Sequence, residues 1–246
     1  MYGVEFAFST PLYDISTSTG AASAIGPNAD DNIGDLTSDT RAGSETIWGV
    51  RIASNELVTF DPSTGLVTSR VTMDSADKMT SLAFDPVSGV LYGNTTVGFG
   101  AAFDALYSID PTTGGTTFIG RILFSNVFAL GFDQSGNLYG VSDATSELIE
   151  INTTTGNGTS IAALRLSSIY DIASDPDTDI MYATSSATTS LYTIDVTNGA
   201  LSLIGPHGGG VINMVGLAFG AGIPAPATAA LFLAGLAGLR IGRRRA

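Results

Sequence analysis

Acid–base, nucleophilic or metal chemistry in this 246-residue chain would have to come from carboxylates and a single imidazole. There is one histidine, His207, and no cysteine. Without a second imidazole or a thiolate, His207 cannot build a zinc site of the usual composition. It also stands in "GPHGGG" (205–210), a setting that predicts an exposed loop between repeats. No G-x-S-x-G elbow, Walker loop or dinucleotide fingerprint is present, so acyl transfer by a triad and nucleotide chemistry have no local support.

The carboxylates form two kinds of pattern. "DPDTDI" (175–180) spaces Asp175, Asp177 and Asp179 like the first ligands of a calcium loop. The pattern then fails, because Ile180 stands where the loop needs Gly and Ser186 where it needs a bidentate Glu. "NADDNIGD" (28–35) reads as a solvated acidic loop, with only weak potential for calcium. Separately, Asp39, Asp85, Asp133 and Asp175 recur at the ends of similar segments, with Gly220 in the fifth place. Such a ring could hold a cation at one channel mouth. Equally, each aspartate could start its own turn, and turn-starting is the commoner role.

Those aspartates belong to a repeat, and the repeat must position any site. Segments LTSD (36–39), LAFD (82–85), LGFD (130–133), IASD (172–175) and LAFG (217–220) are alike. So are MYGV (1–4), IWGV (47–50), LYGN (91–94), LYGV (138–141) and MYAT (181–184). A third set is LYDIS, LVTFD, LYSID, LIEIN and LYTID. Each member is followed by a turn glycine: Gly20, Gly65, Gly114, Gly156 and Gly199, spaced 45, 49, 42 and 43 residues apart. β-Branched and aromatic runs of this length read as strands, and Asp-Pro and Asn-Gly steps as hairpin turns.

Four antiparallel strands per repeat of this length is the unit of a β-propeller blade, which buries its faces only against neighbouring blades. A β-sandwich or an irregular solenoid is the alternative, and the fixed four-strand period favours the propeller. The expected fold is therefore all-β: a five-bladed propeller over 1–220. The lone strand in NMVGLAFG (213–220) joins MYGV so that N- and C-terminal strands close the last blade. Tyr92, Tyr107, Tyr139, Tyr182, Tyr192 and Trp48 fall on strands and read as packing between blades rather than as a sugar platform. The segments resemble propeller repeats of the NHL and YVTN kind, and this resemblance implies a fold rather than an activity.

Charge adds a constraint. The chain carries a formal −13, but four of its ten basic residues are Arg240, Arg243, Arg244 and Arg245. Residues 1–222 thus hold six basic against 23 acidic residues, a net −17. Nucleic acid and anionic lipid are poor partners for such a body.

The end of the chain is unlike the rest. Ile223 to Leu239 is 17 residues without a charge, at the short limit of a membrane span of about 17–25 residues, and arginines follow at once. The division expected is 221–226 as a linker, 227–242 as a transmembrane-type helix and 243–246 as a basic tail. Pro224-Ala225-Pro226-Ala227-Thr228, an apolar stretch and terminal Arg243-Arg244-Arg245 together resemble the PEP-CTERM sorting signal, with Ala225 where that family usually has Glu. The resemblance implies export in a Gram-negative bacterium that makes exopolysaccharide. It also implies a transient inner-membrane anchor through the C-terminal helix, and processing by an exosortase near Pro224, Ala225 and Pro226. The product would be an extracellular or surface protein, with exopolysaccharide or surface proteins as partners.

Such a protein needs a signal peptide, and residues 1–25 contain neither a basic n-region nor an apolar h-region. An upstream segment is therefore expected, with which the ring could have six or seven blades. The body reads as a non-catalytic binding module without cofactor. A calcium-dependent, lactonase-like propeller hydrolase is the second reading.

Overall fold

The computed structural model describes residues 1–7, 10–30, 32–41 and 46–220, and of 28–30 only the backbone. The linker, helix and basic tail expected over 221–246, including Pro224, Ala225, Pro226, Arg243, Arg244 and Arg245, lie outside the described residues.

Five four-stranded antiparallel sheets follow one another along the chain. Blade 1 contains β1 (Tyr2–Glu5), β2 (Thr10–Ile15) and β3 (Ala22–Asp30). Blade 2 is β4 (Ile33–Ser38), β5 (Ile47–Arg51), β6 (Glu56–Phe60) and β7 (Val67–Thr72). Blade 3 is β8 (Met79–Phe84), β9 (Leu91–Thr95), β10 (Ala105–Ile109) and β11 (Thr116–Arg121), with one 3-10 turn at Val97–Phe99. Blade 4 is β12 (Val127–Phe132), β13 (Leu138–Ser142), β14 (Glu147–Ile151) and β15 (Gly158–Ala163). Blade 5 is β16 (Ile169–Ser174), β17 (Met181–Ser185), β18 (Ser190–Ile194) and β19 (Leu201–Pro206). Finally β20 (Met214–Ala218) pairs with β1, Gly3 opposite Leu217, and completes blade 1. The five-bladed ring closed by strands from both ends is the architecture the repeat predicts.

The first strand of each blade, β20, β4, β8, β12 or β16, contacts its counterparts in both neighbouring blades and lines the axis. Burial falls from the axis outward. Every residue of β8 and β20 is buried, whereas the outermost β7 and β15 contain no buried residue. The hydrophobic core is accordingly five wedges, each filling the seam between two blades. Leu36, Leu82, Leu130, Ile172 and Leu217 occupy one level of the inner strands and are at most 1% exposed. Between blades 2 and 3, Trp48 stacks on Phe84 at 5.4 Å. Tyr92 meets Phe132 and Tyr182 meets Phe219 in the equivalent places. These contacts bear out the reading of Trp48, Tyr92 and Tyr182 as packing between blades, whereas the Tyr107 ring meets Phe118 within blade 3 at 5.5 Å.

Turn glycines also set the spacing between blades. Gly156 has φ 78° at the last hairpin of blade 4. A Cβ there would lie 2.6–2.7 Å from backbone atoms of Gly120 on β11. The two backbones touch because neither residue has a side chain. Gly156→Ala would impose a left-handed conformation on alanine and push blades 3 and 4 apart. It is expected to destabilise the fold by about 2–4 kcal/mol, measured by urea unfolding. An alanine variant within about 0.5 kcal/mol of wild type would show that the seam can open freely there.

Candidate functional site

The inner strands present one residue each at successive levels of the axial channel. At one mouth the level is Gly34, Thr80, Phe128, Tyr170 and Val215. With Phe6, Ile52, Phe99 and Asn213 these residues line a cavity of about 250 Å³. Three edge-to-face contacts link four of its rings: Phe6 to Phe99, Phe99 to Phe128 and Phe128 to Tyr170, with centroids 6.3, 6.1 and 5.5 Å apart. The rings come from blades 1, 3, 4 and 5, so only ring closure brings them together. The polar groups at the rim are few. Thr80 shares a 2.6 Å hydrogen bond with Thr96, and Asn94 donates to Val127 O behind them.

One residue deeper, the level is Asp35, Ser81, Ala129, Asp171 and Gly216. Asp35 and Asp171 are fully buried and hydrogen-bonded to each other. Each carboxyl also accepts two backbone N–H groups, one from its own strand and one from the next blade. Asp35 takes Leu36 N at 2.7 Å and Leu82 N at 2.8 Å; Asp171 takes Ile172 N at 2.7 Å and Leu217 N at 2.5 Å. Burial pushes both carboxyls well above the ordinary carboxylate range. For Asp171 the charge of Asp35 pushes further in the same direction. Two like charges so close oppose each other's ionisation, so the carboxyls titrate as one unit that holds a proton above the ordinary carboxylate range. Gly216 lies between them in the ring, where a Cβ would come 2.7 Å from Leu36 N and 3.0 Å from the Asp35 carbonyl carbon.

Asp35 thus corrects the reading of 28–35 as a solvated loop: it belongs to β4 and sits on the axis. The signal was present in sequence. "IGDLTS" and "IYDIAS" place aspartate inside an apolar inner strand, at a position where the other repeats have Ser81, Ala129 and Gly216. The strand-end aspartates behave differently. Asp85 accepts from Val87 N and Ser88 Oγ, Asp133 from Ser135 N and Asn137 N, and Asp175 from Asp177 N. Asp39 pairs with Arg41 at 2.7 Å. Each carboxylate is turned into its own hairpin. Asp179 likewise accepts from Gln134 N and Ser174 Oγ instead of converging with Asp175 and Asp177. Among the described residues no three His, Asp or Glu side chains come together as a metal site would require. The other mouth, below these strand ends, encloses only about 40 Å³.

His207 is a second correction. It is 1% exposed and locks the seam between blades 5 and 1. Its Nδ1 faces the Gly20 carbonyl at 3.1 Å and its Nε2 the Thr184 hydroxyl at 2.9 Å. A carbonyl only accepts, so the neutral ring carries its proton on Nδ1 and accepts from Thr184 at Nε2. Its backbone joins the lock, with His207 N donating to Thr189 O and Ala22 N donating to His207 O. The glycines of "GPHGGG" suggested exposure, but β19 delivers the imidazole into the seam before they begin.

No protein-family model and no curated protein matches this chain. Solved structures do. A chain in the crystal structure of a nidogen/laminin complex aligns with 12% identity and a TM-score of 0.61, over 88% of this chain and 97% of that one. A Bacteroides thetaiotaomicron VPI-5482 protein, described as of unknown function, aligns with 16% identity and a TM-score of 0.50. That match covers 82% of this chain but only 50% of the other. These likenesses show the propeller fold.

Both buried titrating sites give pH signatures of opposite sign. The Asp35–Asp171 pair has raised folded-state values. Its contribution is therefore complete below the unfolded carboxylate range and is lost as pH rises through the raised value. Thermal stability should decline as pH rises above about 4, the unfolded carboxylate value, and Asp171→Asn should flatten the decline. A pH-independent Tm in the wild type would contradict a shared proton. Asp35→Ala strands the Leu36 and Leu82 N–H groups and should cost about 2–6 kcal/mol in urea unfolding.

Burial lowers the His207 value, so its contribution is present above the unfolded value and is lost on acidification. Stability should fall as pH drops below about 6.5, the unfolded imidazole value, and in His207→Ala this step should vanish from a lower baseline. A step that survives in His207→Ala would assign the titration elsewhere.

Proposed function

We propose that this chain is a non-catalytic binding module, exported and sorted to the cell surface or extracellular matrix, that takes its ligand at the aromatic mouth of the channel. The cavity lined by Phe6, Phe99, Phe128 and Tyr170 carries this reading. It is concave and mostly apolar, it stands on rigid inner strands, and it is the larger of the two openings on the axis. The C-terminal residues supply the address. Pro224-Ala225-Pro226, the uncharged stretch to Leu239 and Arg243-Arg244-Arg245 resemble the PEP-CTERM signal. That resemblance supports passage through an inner-membrane-anchored intermediate and cleavage by an exosortase near the prolines. The acidic body, at −17 over residues 1–222, suits a soluble extracellular protein and disfavours nucleic acid. A calcium-dependent hydrolase draws no support from the strand-end aspartates, which are engaged in their own turns.

The intact mass of the protein recovered from its native envelope and medium tests the address. The expected product has lost Arg243–Arg245 and ends near Pro224–Pro226, and replacing the three arginines by alanine should abolish that cleavage. Full-length protein in the cytosol would overturn the sorting reading. The mouth is tested by co-sedimentation with matrix prepared from the same cells. Phe128→Ala and Tyr170→Ala should each release the protein into the supernatant while still melting cooperatively as folded protein. Retention of both variants would move the binding surface elsewhere.

A further inference from the structure

We infer that the ligand of this mouth presents a compact organic cation, an alkylammonium or quaternary ammonium group. The inference rests on the mouth being the ligand face and specifies what it binds. The walls are aromatic, and aromatic faces attract cations through the negative charge of their π systems. The floor, one level below the rim, carries carboxyls: Asp35 and Asp171 are the very next residues after Gly34 and Tyr170 of the rim, and the pair they form accepts four backbone N–H groups on the axis.

A third carboxylate borders the rim. Glu5 precedes Phe6, is 9% exposed, and accepts Ile212 N at 2.8 Å and the Tyr13 hydroxyl at 2.7 Å. The Tyr13 hydroxyl is pushed far above its ordinary range by burial and by this carboxylate. Asp104 is buried where the Val97–Phe99 turn meets β12, and its partners are again backbone N–H groups, Val97 at 2.9 Å and Val127 at 2.7 Å.

Among the described residues no Lys or Arg lines the cavity. Charges in a low-dielectric cleft focus their field toward its opening. A neutral apolar ligand would use the rings alone and leave the acids without a purpose in recognition. An anion would be repelled. A bare metal ion would need converging oxygens at the rim, where this structure offers rings. A methylated or primary ammonium group fits both walls and floor, and about 250 Å³ accommodates it with its substituents.

Titration calorimetry of the full chain with choline and with its neutral carbon isostere, 3,3-dimethylbutan-1-ol, tests the inference. Choline should bind about tenfold more tightly than the isostere or better. Its affinity should fall about tenfold in Phe128→Ala and in Tyr170→Leu, two variants of which either suffices if the other is unstable. Asp35→Asn combined with Asp171→Asn, checked for folding by circular dichroism, should weaken choline and leave the isostere unchanged. Equal affinity for the two probes, lost in the ring variants, would overturn the cation and keep the mouth as a binding site. Choline binding indifferent to Phe128 and Tyr170 would overturn both. Absence of choline binding at millimolar concentration would overturn the cation.

Discussion

The open edge of the inner strand is the constraint on which the rest of this structure depends. In each blade the first strand pairs on one side only. Its other edge faces the axis, where most of it is too deeply buried for water to reach. Unpaired backbone groups there would each cost about 1–3 kcal/mol. The chain satisfies them with short polar side chains from neighbouring blades. Asp35 and Thr37 of blade 2 accept from Leu82 and Phe84 of blade 3. Ser81 donates to Phe128 O in blade 4, and Asp104 accepts from Val127 N there. Asp171 of blade 5 accepts from Leu217 of blade 1, and Ser38 of blade 2 donates to Phe219 O beyond β20. The ring is therefore stitched near its axis by side chains acting across seams, while the five apolar wedges hold it further out.

This constraint explains why carboxyls occur where desolvation opposes them. A serine hydroxyl reaches one neighbour. A carboxyl has two acceptor oxygens and can serve its own strand and the next at once. Two of five positions at this level use that capacity, and the others are small. Gly216 lets the blade 1 strand approach the backbone of Asp35 and Leu36, where a Cβ would collide. The proximity of Asp35 and Asp171 is tolerable only with a shared proton, so the stitching of the axis and the acidity beneath the mouth come from the same four oxygens.

The repeat was legible because its signals are local. A turn glycine with Asp or Asn four residues before it, a Tyr-Gly or Trp-Gly step and a Leu-x-x-Asp segment each fit within one hairpin, and their recurrence counts the blades. Gly65 N donates to Asp61 O and Gly114 N to Asp110 O as that spacing requires. The site was less legible because it is a property of the closed ring. Phe6 and Tyr170 are 164 positions apart, and neither belongs to the repeated segments. Asp35 was hidden at the end of an acidic run whose first members share nothing with it but composition. Reading it correctly requires strand register: counted back from the recurring leucine, Asp35 and Asp171 share a position that the other repeats keep small. His207 shows the opposite hazard, since its glycine neighbours describe the residues after it and not the seam it enters.

Pair and mouth are coupled through the backbone, because residues 34 and 170 shape the cavity while 35 and 171 bind the axis. A change at the rim must therefore be transmitted to the carboxyl pair or absorbed by strands that are buried on both faces and already fixed by neighbours. Close-packed interiors absorb little. A ligand charge arriving above the pair would favour loss of the shared proton, since an added positive charge stabilises the second carboxylate, and that proton would be released as the cation binds. By linkage, affinity should then rise with pH over the range in which the unliganded pair still holds its proton, and level off above it. A purely apolar ligand in the same cavity would bind without this proton exchange. Comparing choline affinity in buffers of different ionisation enthalpy would separate the two. A binding enthalpy that shifts with the buffer reports proton release. An enthalpy indifferent to the buffer would mean that the axis and the mouth, though adjacent in every inner strand, act independently.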